Sequence, residues 1–74
     1  MRIYPNPVHA TLYFDMEDIN ESEIIVQDIT GRILMHHPLN ENSKELNVET
    51  LLPGVYIISV LFKDVRESHL IAVQ

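Results

Sequence analysis

The sequence predicts an all-β fold, an immunoglobulin-like antiparallel β-sandwich of about seven short strands. Apolar and polar residues alternate with a period of two in several segments, which is the pattern of strands that bury one face. Turn-forming residues separate these segments at intervals of about ten residues. No segment carries the i, i+3, i+4 apolar spacing of a helix over three turns. Because cysteine and tryptophan are absent, an antibody-type domain is excluded.

The first strands follow from this alternation. Residues 12–16 alternate between apolar and polar side chains, and residues 24–27 are apolar enough on both sides to predict partial burial on two faces. The acidic segment 17–23 between them is the one helix candidate, because Asn20 and Ser22 can act as caps. We interpret this segment as a loop.

A hairpin is predicted next. Asp28 can cap a turn over residues 28–31, in which Gly31 can adopt a positive φ. Residues 32–35 then form the returning strand. The His-His-Pro sequence at residues 36–38 is predicted to end that strand, since proline cannot donate to a ladder.

Two connections and a short strand follow the hairpin. Residues 40–43 are a polar loop, and residues 46–48 alternate as a short strand. The Leu-Leu-Pro-Gly sequence at residues 51–54 predicts a type II turn, because Gly54 follows a proline at the position that requires a positive φ.

The longest apolar run, residues 55–62, predicts the central strand of the core. Its alternate positions Tyr56, Ile58, Val60 and Phe62 are predicted to face the interior. Residues 63–64 turn the chain back, and residues 67–73 form the closing strand.

The chain opens on a stiff segment, Tyr-Pro-Asn-Pro-Val at residues 4–8. Pro5 and Pro7 fix φ, lack a backbone N–H and favour extended geometry in the residue before each of them. The segment is therefore predicted to be an extended lead-in that cannot lie in the middle of a sheet. Asn6 between the prolines is a turn former. Pairing at a sheet edge and a role in recognition both explain this segment.

Composition excludes several classes of function. The chain has 74 residues, so it forms one domain, and a net charge of −6 argues against binding to nucleic acid or to an anionic membrane surface. No apolar stretch approaches the roughly 18 residues of a membrane helix, so direct membrane insertion is not expected, and no secretory signal is recognisable. Without cysteine, neither a disulfide nor a thiolate metal site is possible.

No enzyme or cofactor site is expected. His36 and His37 are adjacent, so on a strand they point to opposite faces and cannot bind one metal together, and His9 and His69 lie in other segments. No serine, histidine and acid stand in a catalytic arrangement, and no glycine-rich loop can hold phosphate. One set of acidic residues could bind calcium through its carboxylate oxygens, but it lacks the spacing of an EF-hand loop. We therefore prefer to interpret this set as part of a solvated loop. That set is Asp15, Glu17, Asp18, Glu21 and Glu23.

Four segments in this order carry a family resemblance: residues 4–8, 26–34 (Val-Gln-Asp-Ile-Thr-Gly-Arg-Ile-Leu), 46–48 (Leu-Asn-Val) and 51–60 (Leu-Leu-Pro-Gly-Val-Tyr-Ile-Ile-Ser-Val). With the short apolar last strand, nearly the whole chain resembles the C-terminal sorting domain of type IX secretion cargo proteins from Bacteroidetes. The signature residues are Tyr4, Pro5, Asn6, Pro7, Gly31, Pro53, Gly54 and Tyr56.

The resemblance implies a secretion signal that is also a folded domain and has no catalytic activity. Such domains stand at the C-terminus of exported proteins, are recognised by the outer-membrane translocon and are removed by a sortase-like peptidase. The cargo, commonly attached to anionic lipopolysaccharide, crosses the periplasm to the cell surface or is secreted. Met1 directly before the signature predicts that residues 1–74 are this one domain, excised from a larger exported protein.

The last six residues are the expected recognition segment for the translocon and the sortase. Being apolar on both faces, the segment suits addition to a partner's sheet edge, and equally suits closing this sandwich. His69 and Gln74 stand where the family usually carries basic residues. Apolar edge strands also make a homodimer plausible. The segment is His69, Leu70, Ile71, Ala72, Val73 and Gln74.

Two other functions remain open at this point. A carbohydrate-binding or adhesive module of a surface protein requires an exposed aromatic platform. The residues that could supply one are Tyr4, Tyr13, Phe14, Tyr56 and Phe62, several of which the core needs. A purely structural spacer is the third interpretation.

Overall fold

In a computed structural model, which describes residues 1–17 and 21–74, the chain folds into two packed antiparallel sheets. The described residues form seven strands and no helix, which confirms the predicted all-β sandwich. The strands are β1 (Arg2–Tyr4), β2 (Thr11–Asp15), β3 (Ser22–Gln27), β4 (Ile33–Leu39), β5 (Glu45–Asn47), β6 (Gly54–Phe62) and β7 (Val65–Val73).

The two sheets differ in size. One has three strands in the order β1-β2-β5, and the other has four in the order β4-β3-β6-β7. All neighbouring strands are antiparallel. The last strand of the chain therefore lies at an edge of the larger sheet, with β6 as its neighbour.

The core lies between the sheets and follows the predicted alternation. Tyr56, Ile58 and Val60 of β6 are buried, which confirms their assignment to the core face, and Phe62 is half-buried. The other buried apolar residues are Val8, Leu12, Phe14, Ile24, Val26, Leu39, Leu46, Val48, Ile71 and Val73. Ser59 is also buried, on the opposite face of β6, where its hydroxyl lies 2.9 Å from that of Ser68.

Several predicted boundaries were wrong. β4 continues through residues 36–38 to Leu39, because β4 is an edge strand, where proline is tolerated. β3 begins at Ser22, so the predicted acidic loop was too long, and residues 18–20 of that loop lie outside the described residues. The closing strand begins at Val65 rather than at residue 67.

The two glycine predictions had different outcomes. Gly31 has a φ of 92°, as the predicted turn requires. Gly54 has a φ of 159°, close to extended backbone and far from the roughly +80° of a type II turn. The type II prediction for residues 51–54 was therefore wrong, and Gly54 instead begins β6.

Asp28 caps the turn before β4, as predicted. Its carboxylate accepts hydrogen bonds from the Thr30 hydroxyl (2.5 Å), the Thr30 backbone N–H (2.9 Å) and the Arg32 backbone N–H (3.1 Å). The hydrogen bond from the Thr30 hydroxyl has the largest effect on the pKa of Asp28. Together with the two backbone bonds, it favours the charged form and holds this pKa below its ordinary value of 3.8, although desolvation acts in the opposite direction.

The capped turn gives a pH-dependent prediction. A carboxylate whose pKa is lowered by folding contributes stability above its unfolded pKa, and this contribution is lost as the pH falls through the folded pKa. The melting temperature of Asp28→Asn, which cannot titrate, should be a few degrees below that of wild type near neutral pH. The gap should narrow below about pH 4. Thermal melts between about pH 7 and 2 measure it, and parallel curves for the two proteins would contradict the role of the charge.

Candidate recognition site at the last strand

The side chain of Asn6 is hydrogen-bonded to the backbone of β7, at the edge that faces away from β6. Its Nδ2 donates to the carbonyl oxygen of Leu70 (3.2 Å), and its Oδ1 accepts from the backbone N–H of Ala72 (3.0 Å). A side-chain amide thus makes the pair of bonds that a neighbouring strand would make.

Val8 extends this contact as a parallel bridge to Val73. The backbone N–H of Val8 donates to the carbonyl oxygen of Ala72 (2.8 Å), and its carbonyl oxygen accepts from the N–H of Gln74 (2.9 Å). The Val8 side chain is buried in the core. We call residues 5–8 the strap, because they lie between β1 and β2 and fasten that hairpin to the edge of the other sheet.

The strap corrects the prediction of an extended lead-in. The chain bends at Asn6 and Pro7, and the peptide bonds before Pro5 and Pro7 are both cis. β1 precedes the strap and pairs with β2 through Ile3 and Phe14, so the sandwich begins at Arg2, upstream of the signature. The prolines fit this place because neither leaves a backbone N–H without a partner.

The strap covers only the C-terminal part of the β7 edge. In an antiparallel strand, the backbone N–H and C=O groups of alternate residues point to the same side. The N–H and C=O groups of Arg66 and Ser68 therefore point away from β6, and so does the N–H of Leu70. Among the described strands, none lies beyond β7 on this side. The Leu70 side chain, on the outer face, is 66% exposed. Residues 66–70 therefore form an open strand edge, which we call the open edge.

The other sheet edges offer less for strand addition. β1 and β5 have three residues each, and β4 contains Pro38 and pairs with β3 through an irregular register beside Gln27. Short edges, prolines and bulges all discourage pairing with another chain. Within the described part of the chain, β7 is the long edge that lacks these features.

The predicted recognition segment, residues 69–74, has a buried face and a more exposed face. Ile71 and Val73 are buried, so the segment does close the sandwich, while Leu70 and Gln74 are exposed and Ala72 is half-buried.

His69 sits on the core face, half-buried. Its Nε2 makes no hydrogen bond to described residues and lies 3.7 Å from Oε1 of Glu67. His69 therefore lies on the opposite face of β7 from the exposed Leu70.

A scan against protein-family models matches residues 2–74 to the secretion system C-terminal sorting domain. The chain belongs to this family. Members of this family are the C-terminal sorting-signal domains of type IX secretion cargo proteins. The family is a non-catalytic targeting family, and the cargo proteins are exported to the cell surface or secreted. No curated protein and no solved structure matches the chain.

The second half of the family signature lies at the same end of the larger sheet as the strap, because Gly54 pairs with Val73, the residue that bridges to Val8. The hydroxyl of Tyr56 donates to the carbonyl oxygen of Leu52 (2.5 Å), which ties residues 51–54 to the core strand β6. Tyr56 is buried, whereas Pro53 and Gly54 are exposed. Pro53 lies in the connection that leads into β6, Gly54 begins that strand, and the hydrogen bond of Tyr56 joins the connection to the strand.

The exposed aromatic residues of the sorting domain do not form a flat platform. Tyr4 and Tyr13 face outward from the smaller sheet and stack on each other with ring centroids 5.6 Å apart, and the Arg2 guanidinium lies 4.6 Å from the Tyr4 ring centre. Phe14 and Tyr56 are buried. The ring faces that stack on each other are not free for a sugar.

Metal-ligating side chains are dispersed in the described parts of the sorting domain. No group of three His, Cys, Asp or Glu residues there is placed to hold a metal ion. His36 and Glu23 form an isolated pair, 3.3 Å apart, and Asp18 of the acidic set lies outside the described residues. The same residues include no helix long and apolar enough to cross a membrane.

Proposed function

We propose that the type IX translocon recognises this sorting domain in its folded form, by adding a strand to the open edge of β7. The observation that carries this proposal is the row of outward backbone groups at Arg66 and Ser68, continued by the N–H of Leu70, with which no described strand pairs. In strand addition, main-chain hydrogen bonds supply the affinity and side chains beside them supply the specificity.

The side chains around the open edge support strand addition at this place. Leu70 gives the incoming strand an exposed apolar contact on the outer face, and Val65 is exposed at the start of β7. Arg66 is held in place on that face, since its guanidinium donates to Gln27 Oε1 and to the Ser59 hydroxyl, both at 3.2 Å. The partner thus meets a prearranged edge, which reduces the entropy lost on binding.

Replacement of Leu70 by lysine tests this surface. The exposed position tolerates lysine with little effect on stability, but a charged side chain beside an edge opposes strand addition. Export of a reporter fused to the Leu70→Lys domain should fall by about tenfold or more, as expected for the loss of an interface contact of this size.

The control is Leu52→Lys, the same change at a leucine that is 79% exposed in the connection before β6. This variant should be exported like wild type. Equal export of the two variants would refute recognition at the open edge, provided that their melting temperatures agree.

The handling of the domain during export is a second part of the proposal. We propose that residues 1–74 end a larger exported protein that passes through the periplasm, and that a sortase-like peptidase then removes them. Because β1 begins at Arg2, the accessible bond lies before Arg2 rather than directly before Tyr4. The cargo is then attached to anionic lipopolysaccharide at the surface. Pairing of two copies along an edge strand remains a prediction.

Mass spectrometry of an exported reporter tests this processing. The exported reporter should end before Arg2 and lack the domain. A reporter that reaches the surface with residues 2–74 still attached would contradict removal, although not recognition.

A further inference from the structure

We propose that the strap is a displaceable cover over the second half of a strand-docking site. An extended segment of the translocon, running parallel to β7, replaces the strap and takes over its hydrogen bonds to residues 70–74. This inference rests on the proposed recognition at the β7 edge, which it extends from the open edge to the C-terminus.

The resident strap shows which chemistry the covered edge accepts. It supplies a donor to each of the carbonyl oxygens of Leu70 and Ala72, and an acceptor to each of the N–H groups of Ala72 and Gln74. An ordinary parallel strand supplies the same alternating donors and acceptors. The parallel bridge between Val8 and Val73 is the reason for proposing a guest segment that runs parallel to β7.

The covered and open parts of the edge are continuous. The outward groups of Arg66 and Ser68 lead directly into those of Leu70 and Ala72 along one strand. With the strap in place, a guest can pair only as far as the N–H of Leu70. With the strap displaced, the guest can follow the strand to Gln74.

The anchors at both ends of the strap allow it to open locally. Tyr4 pairs with Tyr13 in the β1–β2 ladder, and the carbonyl oxygen of Ala10 accepts from the N–H of Val48 (2.7 Å). Neither anchor involves β7, so the segment between them can leave the edge while both sheets persist. The Asn6 side chain and the buried Val8 hold it closed in the absence of a guest.

Hydrogen exchange on the unmodified chain tests local opening. The strap-bonded amides of Ala72 and Gln74 should exchange at least about ten times faster than the slowest amides shared by β3 and β6, because they open without global unfolding. Exchange at the same rate as those core amides would show that the strap opens only with the whole domain, and would overturn the proposal.

A peptide with the sequence of residues 4–10 tests displacement, since it carries the chemistry of the resident strap. The isotope-labelled chain is titrated with it, and amide signals of residues 70–74 are followed. Asn6→Leu removes both side-chain bonds and should bind the peptide about tenfold more tightly than wild type. Asn42→Leu, the same change in the connection between β4 and β5, should bind like wild type.

Equal affinity in the three proteins, or no shift at residues 70–74, would overturn the proposal. If Asn6→Leu does not fold, the exchange rates of wild type still decide the question. Neither experiment uses export, so failure of the proposed recognition by the translocon and failure of strap displacement are distinguishable.

Discussion

A reporter fused to the sorting domain should lose its export when Leu12 is replaced by alanine, although Leu12 lies in the sheet that does not contain β7. Leu12 is fully buried, and truncation of a buried leucine costs about 3 kcal/mol. A domain of this length has a total stability of roughly 4–11 kcal/mol, so much of it would be lost. We expect the melting temperature to fall by more than about 10 °C and export to fall with it.

Two controls make this result interpretable. Leu52→Ala, at an exposed leucine, should change stability by less than about 0.5 kcal/mol and leave export intact. The amount of intact Leu12→Ala fusion inside the cells shows whether it is retained or degraded. If the Leu12→Ala domain melts early but the reporter is exported normally, the signal is a linear tail and recognition does not require the fold.

Removal of residues 71–74 should have a still larger effect. The truncation takes Ile71 and Val73 out of the core and deletes the Ala72 and Gln74 groups that hold the strap. Two lost core side chains at about 2–5 kcal/mol each approach the whole stability of the domain. We expect a chain that shows no cooperative melting transition by circular dichroism and a fused reporter that is not exported.

The Gln74→Ala variant is the matched control, because it keeps the backbone N–H that donates to Val8 and changes only an exposed side chain. It should melt and be exported like wild type. Unchanged secretion of a reporter fused to the truncated domain would refute any role for the closing strand.

The predictable part of the fold is the part that local patterning determines. Alternation placed Tyr56, Ile58 and Val60 on the core face, and the turn residues Asp28 and Gly31 have the contacts and φ expected of them. The wrong boundaries have physical causes. Whether a strand tolerates a proline depends on its being an edge strand, which the sequence does not reveal.

The candidate site was only half predictable. The prolines marked the N-terminal signature as unusual, and the last six residues were identified as a recognition segment. The partners of Asn6 are 64 and 66 residues away along the chain, at Leu70 and Ala72, so no local pattern connects them. β1 was missed for a related reason, because three residues carry too little alternation and their pairing depends on β2.

The most direct test of the central claim compares export with and without the type IX translocon. A reporter that carries its own signal for entry into the periplasm is fused before residue 1 and expressed in a bacterium with this secretion system and in a strain without its outer-membrane translocon. The fused reporter should reach the surface or the medium only in the first strain, and the unfused reporter in neither. Equal export of the fused reporter by both strains, or its retention in both, would contradict the assignment of this chain as a type IX sorting signal.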